Sequence, residues 1–396
     1  MSRTDADVAI QGAGMVGLLL AAALARHGLR VMLLDNAGLP QWQTQPYSQR
    51  VCAINLASER LLRVLGVWDA LQRVSPFRAI RVWDALGGGQ IVFDAADLGE
   101  PHLGHIIEND LIRSVLHQSV RAATGVQIRI PACVQRLEPD DEAVTLRLSD
   151  GTRLRVALVV GADGARSAIR ELLGIPVRLG RYAQKAIVAP IRTEIAHGEI
   201  ARQWFLPGGP LAFLPLADGR CSIVWSLSSA EAEARLAFDE TAFCEALVHG
   251  SAGRLGNVLE VGERGAFPLY RLHAARYCTE RAVLVGDAAH VIHPLAGQGV
   301  NQGFQDAAVL ANAVIDAQRR GRDIGGRLAL RRYERARRGD NLLMEWSMEG
   351  FHQLFTRRRL PLVRLRSLGL GMTHRSASAK RFFMRRAIGA DASILP

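Results

Sequence analysis

The first 35 residues constrain the fold more than any other stretch. Val8-Ala9-Ile10 is a short apolar run of strand character, and Gly12-Ala13-Gly14-Met15-Val16-Gly17 follows it directly. Leu18 to Arg26 then reads as a helix ended by His27-Gly28, and Leu29 to Leu34 as a second strand closing on Asp35. Each position has a physical job in a strand–loop–helix–strand unit that holds a dinucleotide. Gly12 permits a tight turn, Gly14 lets backbone amides approach a pyrophosphate, and Gly17 lets helix and strand pack closely. The phosphates then sit at the positive end of the helix. Asp35, 23 residues beyond Gly12, is placed to accept hydrogen bonds from a ribose diol. Val8 to Ala25 is also free of charge and near the length of a membrane span. Asp5 and Asp7 before it and the glycines within it argue against a span or a signal peptide, so the expectation is a soluble body.

The fingerprint alone does not separate NAD from FAD. Two later segments bear on that choice. Val156 to Val160 is an apolar strand running into Gly161-Ala162-Asp163-Gly164, with Ser167 and Arg170 beyond. Ala282 to Val285 is another, running into Gly286-Asp287-Ala288-Ala289-His290. His293 to Gly303 follows, rich in glycine, and opens a helix from Phe304 through Ala317. An Asp at a strand end binds a polyol well, and a glycine-rich turn before a helix presents amides to an anion or to the electron-rich edge of a reduced flavin.

In this order, these segments resemble the single-component FAD-dependent aromatic hydroxylases. GADGxxSxxR at Gly161–Arg170 is similar to that family's Asp-Gly motif, and GDAAH at 286–290 to its flavin-ribityl motif. HPLAGQGVNQGFQD, His293 to Asp306, resembles the signature of the hydroxylases of ubiquinone biosynthesis, with Gln302 where an apolar residue is expected. Arg50 to Glu59 resembles the family's arginine segment near the flavin. Phe93-Asp94 and His102 to Asn109 resemble its second cofactor-contacting element. The segments Ile191–Glu194, Leu211–Leu216 and Cys221–Ser228 look closest to the branch that hydroxylates 2-polyprenylphenol. The likeness runs along almost the whole chain. It implies bound FAD, with NADPH or NADH as a transient co-substrate and O2 as the oxidant. It assigns cofactor contacts to Gly12, Gly14, Gly17, Asp35, Arg50, Asn109, Asp163, Asp287, Pro294, Gly297, Gly299, Val300 and Asn301. No catalytic base is assigned; His290, His293, Tyr270 and Arg271 are the side chains considered.

The expected fold class is α/β: a Rossmann-like FAD-binding domain carrying the GxGxxG, an interleaved sheet-based substrate domain, and C-terminal helices. The FAD-binding domain is drawn from 1–76, 101–180 and 279–340, the substrate sheet from 77–100 and 181–278, and basic amphipathic helices from 341–396. Gly87-Gly88-Gly89 reads as a hairpin turn, and no second GxGxxG is present.

Composition refines the reading in two places. Five cysteines with no CxxC pair argue against a disulfide framework, a disulfide reductase and a zinc site; no metal is expected. The net charge of +11 suggests a nucleic-acid binder until it is located. Residues 351–396 hold ten Lys and Arg against Asp391 alone, whereas residues 1–317 are nearly neutral. With no nucleic-acid-binding motif present, the tail reads as a basic amphipathic surface for anionic lipid. The expectations are therefore a polyprenylphenol substrate, an anionic membrane surface and other ubiquinone-biosynthesis proteins as partners, and no nucleic acid. The location expected is cytoplasmic, peripheral on the inner membrane. Three other readings compete: a hydroxylase of the same pathway acting at another ring position, a flavin-dependent reductase of an isoprenoid, and a non-enzymatic flavin-fold scaffold.

Overall fold

The uncharged N-terminal run is divided between a strand, a loop and a helix. The computed structural model describes residues 4–38, 42–292, 299–356, 363, 366, 367, 369, 371–373, 376–390 and 392–395. Strand β1 (Ala6–Gln11) leads through the glycine loop into α1 (Met15–Arg26), and β2 (Val31–Leu34) returns beside it. Further on come β3 (Val51–Asn55), α2 (Leu56–Val64), β4 (Gly104–Glu108) and α3 (Asn109–Ala122). Strands β5 (Arg153–Gly161) and β6 (Ala282–Leu284) carry the two later motifs at their C-terminal ends. Two long helices follow, α4 (Gly299–Arg319) and α5 (Arg327–Thr356), and then the shorter α6 (Ala377–Ile388).

A sheet of eight strands contains the order Cys278–Thr279, β6, β5, β1, β2, Val126–Arg129, in which the five strands from β6 to Val126–Arg129 are parallel. Helices cover parallel strands on both faces, so these strands read as unbroken apolar runs rather than alternating ones. Val8, Ile10, Val159, Val160 and Val283 accordingly have no solvent exposure. Leu18 to Leu24 of α1 packs into the same core. Because β1, β5 and β6 all point the same way, their loops meet at one end of the sheet, where ligands of open α/β sheets bind.

A second sheet of nine strands is mostly antiparallel and is built around the long strand Val177–Thr193. That strand runs straight through the boundary expected at 180/181, and His290–Val291 of the flavin-ribityl motif joins the same sheet by pairing with Gly265–Ala274. Ala79–Asp84 and Gln90–Asp94 form the hairpin expected around Gly87-Gly88-Gly89. Trp204, Phe213, Trp225 and Phe243 fill a separate core behind this sheet. A small third sheet has the order β3–β4–(Ser75–Phe77).

The C-terminal region departs from its expected start at 341. Helix α5 is continuous from Arg327, so the basic stretch 327–338 and the residues after 341 share one helix. Beyond it, Arg366 makes a bidentate pair with Asp84 (Nε to Oδ2 and Nη2 to Oδ1, both 2.8 Å) with both side chains shut off from water. Among the described residues no helix is long and apolar enough to cross a membrane.

Candidate active site

The glycine loop is shaped by contacts that leave no room for side chains. Gly12 has φ +114°, and a Cβ there would lie 2.3 Å from the Ala162 carbonyl oxygen. A Cβ on Gly17 would lie 2.0 Å from the Gly12 oxygen. Gly14 is different: a Cβ would meet nothing within 4 Å, so this face of the loop opens outward. Gly14 is also the N-cap of α1 and supplies no side-chain acceptor, which leaves the first amides of the helix without a cap. Asp35, at the end of β2, accepts from the Ala13 and Ala37 amides (Ala37 at 2.7 Å). Its carboxylate therefore shapes the loop in addition to offering remaining lone pairs to a ligand.

The two later motifs close on the same spot. Arg170 is buried and donates to the Ala288 and Ala165 carbonyls (2.9 and 2.8 Å), tying the Asp-Gly motif to GDAAH. Val16 of α1 is the anvil for both Gly286 and Gly303; a Cβ on Gly303 would lie 2.6 Å from its Cγ2. Asp163 accepts from the Ile169 amide (3.1 Å) with one oxygen, while its Oδ1 is buried without a partner. Burial pushes the Asp163 carboxyl up. Asp287 is accessible, yet it stands in a recess where the surrounding protein raises its carboxyl against the opposing charges of His290 and Arg50. Arg50 lies over the Phe267 ring, 3.9 Å from its centroid, and its carbonyl accepts from the Asn109 amide (3.0 Å).

Helix α4 begins at Gly299, with Val300 half-buried. Asn301 is fully buried; its Oδ1 accepts from the Asn55 amide (3.1 Å) and its Nδ2 donates to the Ala53 carbonyl (2.8 Å). Its side chain thus holds β3 and α2 against α4, leaving backbone groups as its means of meeting a cofactor. Pro294 and Gly297, expected cofactor contacts, and His293 lie outside the described residues. Gln302, an oddity in the sequence, has a clear role: its Oε1 accepts from Arg337 Nη2 (2.7 Å). The same guanidinium donates through Nε to Asp306 Oδ1 (2.7 Å), and Asp306 Oδ2 accepts from the Gly286 amide (3.0 Å) and contacts His290 Nε2. Burial alone would raise the Asp306 carboxyl, but the charges of His290 and Arg337 hold it well below the usual range. His290 is therefore spent on structure. Arg271 lies 3.6 and 3.8 Å from Glu349 and Glu345 on α5.

Comparison with known proteins decides the family. Residues 5–344 match the FAD binding domain family. The chain is 38% identical to 3-demethoxyubiquinol 3-hydroxylase of Escherichia coli (strain K12), over 98% of this chain and 100% of that one. It is 40% identical to ubiquinone hydroxylase UbiL of Rhodospirillum rubrum, over 97% and 90%. It is 33% identical to the human mitochondrial ubiquinone biosynthesis monooxygenase COQ6, over 96% and 91%. The chain belongs to the FAD-binding aromatic hydroxylases. The solved structure of p-nitrophenol 4-monooxygenase PnpA from Pseudomonas putida DLL-E4 shares the fold with a TM-score of 0.80 at 20% identity, covering 97% of this chain and 98% of that one.

This hydroxylase is thus an FAD-dependent monooxygenase that uses NAD(P)H and O2, and its residues fit the cofactor. The open face at Gly14, the uncapped amides of α1 and the Asp163 oxygen without a protein partner are three features that the hydroxyls and phosphates of a dinucleotide would satisfy. Gly12, Gly14 and Gly17 would hold the pyrophosphate, Asp35 the ribose, and Asp287 the ribityl chain. Bound FAD supplies the oxygen chemistry, and the protein's part is to place the ring and keep water out.

Two further groups in this hydroxylase were not singled out in the sequence. Arg113 donates through Nε to the Ala13 carbonyl (2.9 Å) and through Nη2 to Gly38 (3.3 Å), bracing the loop and the segment after β2. The available signal was its place one helical turn after Asn109 on α3. The Asp306–Arg337 pair was missed because Arg337 sits in a run of arginines whose individual partners no local pattern marks.

Proposed function

We propose that the protein hydroxylates the aromatic ring of a polyprenylated intermediate of ubiquinone biosynthesis. The observation that carries this reading is the full-length similarity, at 38–40% identity, to two bacterial proteins named for ubiquinone ring chemistry. Segments of the substrate sheet suggest a 2-polyprenylphenol. The name of the Escherichia coli relative suggests the later 3-demethoxyubiquinol, so the two differ in ring position and not in reaction class. The chain's own contribution is placement. Arg50 stacked on Phe267 links the flavin recess to the antiparallel sheet, so a ring held against that sheet lies beside the cofactor.

The test is an incubation of the FAD-loaded enzyme with 18O2, comparing NADPH with NADH, and with 2-polyprenylphenol and demethoxyubiquinol offered separately. Incorporation of one labelled oxygen into one of them, with substrate-stimulated NAD(P)H oxidation, is expected. Reduction of the substrate without label would establish the reductase reading instead. A protein that takes up no FAD would establish the scaffold reading.

The C-terminal region supports delivery from a cytoplasmic membrane face. On α6, Arg381, Phe382, Phe383, Arg385 and Arg386 are exposed together, with Phe382 64% exposed, and Met372 before them is 70% exposed. Basic and aromatic side chains on one short helix suit anionic headgroups above acyl chains. Arg357, Arg358 and Arg359 lie outside the described residues. Binding to anionic vesicles should weaken with salt and on neutralising those three arginines; unchanged binding in the triple variant would overturn this docking. Other proteins of the pathway are the further partners this surface would meet.

A further inference from the structure

A second polar cluster is built from the segments 50–59 and 102–109, and cysteine spacing gave no hint of it. Strand β4 pairs with β3 in a register that sets His105 opposite Ile54, immediately before α2 begins. Gly104 makes this approach possible, since a Cβ there would lie 2.4 Å from the Ile54 oxygen. The loop into β4 carries His102, and the first turn of α2 carries Glu59, whose side chain is turned inward and only 9% exposed.

The three side chains converge on one atom. His102 Nε2 lies 2.9 Å and His105 Nδ1 3.3 Å from the same oxygen, Glu59 Oε2. All three ligand atoms lie within 4.8 Å of one another. The other carboxylate oxygen accepts from Arg63 Nε (2.8 Å), which leaves Oε2 to the histidines. Trp68 packs edge-on against His105 with ring centroids 4.9 Å apart, and so holds that ring in place.

His105 Nδ1 is the informative atom. The side chain is 8% exposed, and this nitrogen has no hydrogen-bond partner among the described residues despite its closeness to Glu59. Its polar neighbour is Glu59 Oε2 at 3.3 Å, an oxygen that His102 Nε2 already meets at 2.9 Å, so one carboxylate oxygen serves two buried imidazoles and satisfies this one poorly. A cation placed among the three atoms satisfies the imidazole lone pairs and the carboxylate charge together. Two imidazole nitrogens and one carboxylate oxygen form a donor set of borderline softness, which suits zinc more than calcium or magnesium. With metal–ligand bonds of about 2.0–2.2 Å, tetrahedral donors stand roughly 3.3 Å apart, within a few tenths of an ångström of the two Glu59 separations. His102 is 18% exposed, which leaves a side from which a water ligand can enter. Arg63 opposes a cation electrostatically, but its side chain is 51% exposed and free to move outward.

We propose that Glu59, His102 and His105 bind one divalent transition-metal ion of the zinc class, closed by water. The site is structural. Asn55, the N-cap of α2, is bonded to Asn301 at the start of α4, and β4 runs on to Asn109, so the ion pins the corner that backs the flavin motifs.

The test uses the tag-free, FAD-loaded full chain after treatment with EDTA, titrated calorimetrically with ZnCl2. Binding of one ion per chain is expected, together with a rise in Tm. His102→Ala, which removes the most accessible ligand, is expected to weaken zinc binding at least 100-fold and to abolish the Tm rise on adding ZnCl2. Glu59→Gln serves as a second variant with the same expectation. Absence of stoichiometric binding in the parent overturns the proposal, as does parent-like affinity in both variants.

Discussion

Two glycine-rich turns of this chain look alike in sequence and do opposite things. In the loop from Gly12 to Gly17, the position over Gly14 is open, with no protein atom within 4 Å of a would-be Cβ. In the hairpin at Gly87-Gly88-Gly89, the chain itself fills the space: a Cβ on Gly87 would lie 1.8 Å from Ser367 Oγ. Each turn has a buried carboxylate nearby. Asp306 accepts from the Gly286 amide and from Arg337, and helps place the ribityl motif. Asp84 is covered by Arg366 and Ser367, and fastens the C-terminal segment to the second sheet. Glycine therefore marks close approach in both places, and only the tertiary surroundings tell whether a ligand or the chain itself approaches.

The comparison breaks most visibly through its carboxylates. Asp306→Ala leaves Arg337 buried without its main partner and should cost about 3–5 kcal/mol, with loss of FAD on purification. Denaturant unfolding and the flavin absorbance would check both effects. Asp84→Ala should cost a similar amount, about 3–5 kcal/mol, while the folded fraction keeps its flavin; flavin loss there would mean that the two turns are not independent. Gly14→Val should weaken FAD at least about 100-fold, near 2.8 kcal/mol, with little change in the Tm of the cofactor-free protein. A large fall in that Tm would show the open face to be structural after all.

Acid sharpens the same contrast. Asp84 is lowered by Arg366 and Ser367 against the raising effect of burial, and Asp306 is held lower still. Their stabilisation is fully present above the unfolded carboxylate value near 3.9 and is lost as pH falls below it. Asp163 and Asp287, raised in the flavin recess, act in the opposite sense. Tm measured from pH 6 down to about 3 should therefore fall less steeply in Asp84→Asn and Asp306→Asn than in the parent. The smallest effect is expected for Gln302→Leu, which removes one hydrogen bond from Arg337 and should cost about 1 kcal/mol.

The sequence by itself determined the parallel sheet and the flavin motifs. Their signals are local: an apolar run followed within a few residues by glycines and an acid, read correctly at β1, β5 and β6. It also showed that the excess charge belongs to the C-terminal part of the chain. Only the tertiary structure decided what depends on partners distant along the chain. Arg366 finds Asp84 across 282 residues, Asn301 finds Asn55 across 246, and His102 finds Glu59 across 43. No periodicity or spacing encodes such pairs, because strand register and helix docking bring them together, and burial then makes each polar group's partner obligatory.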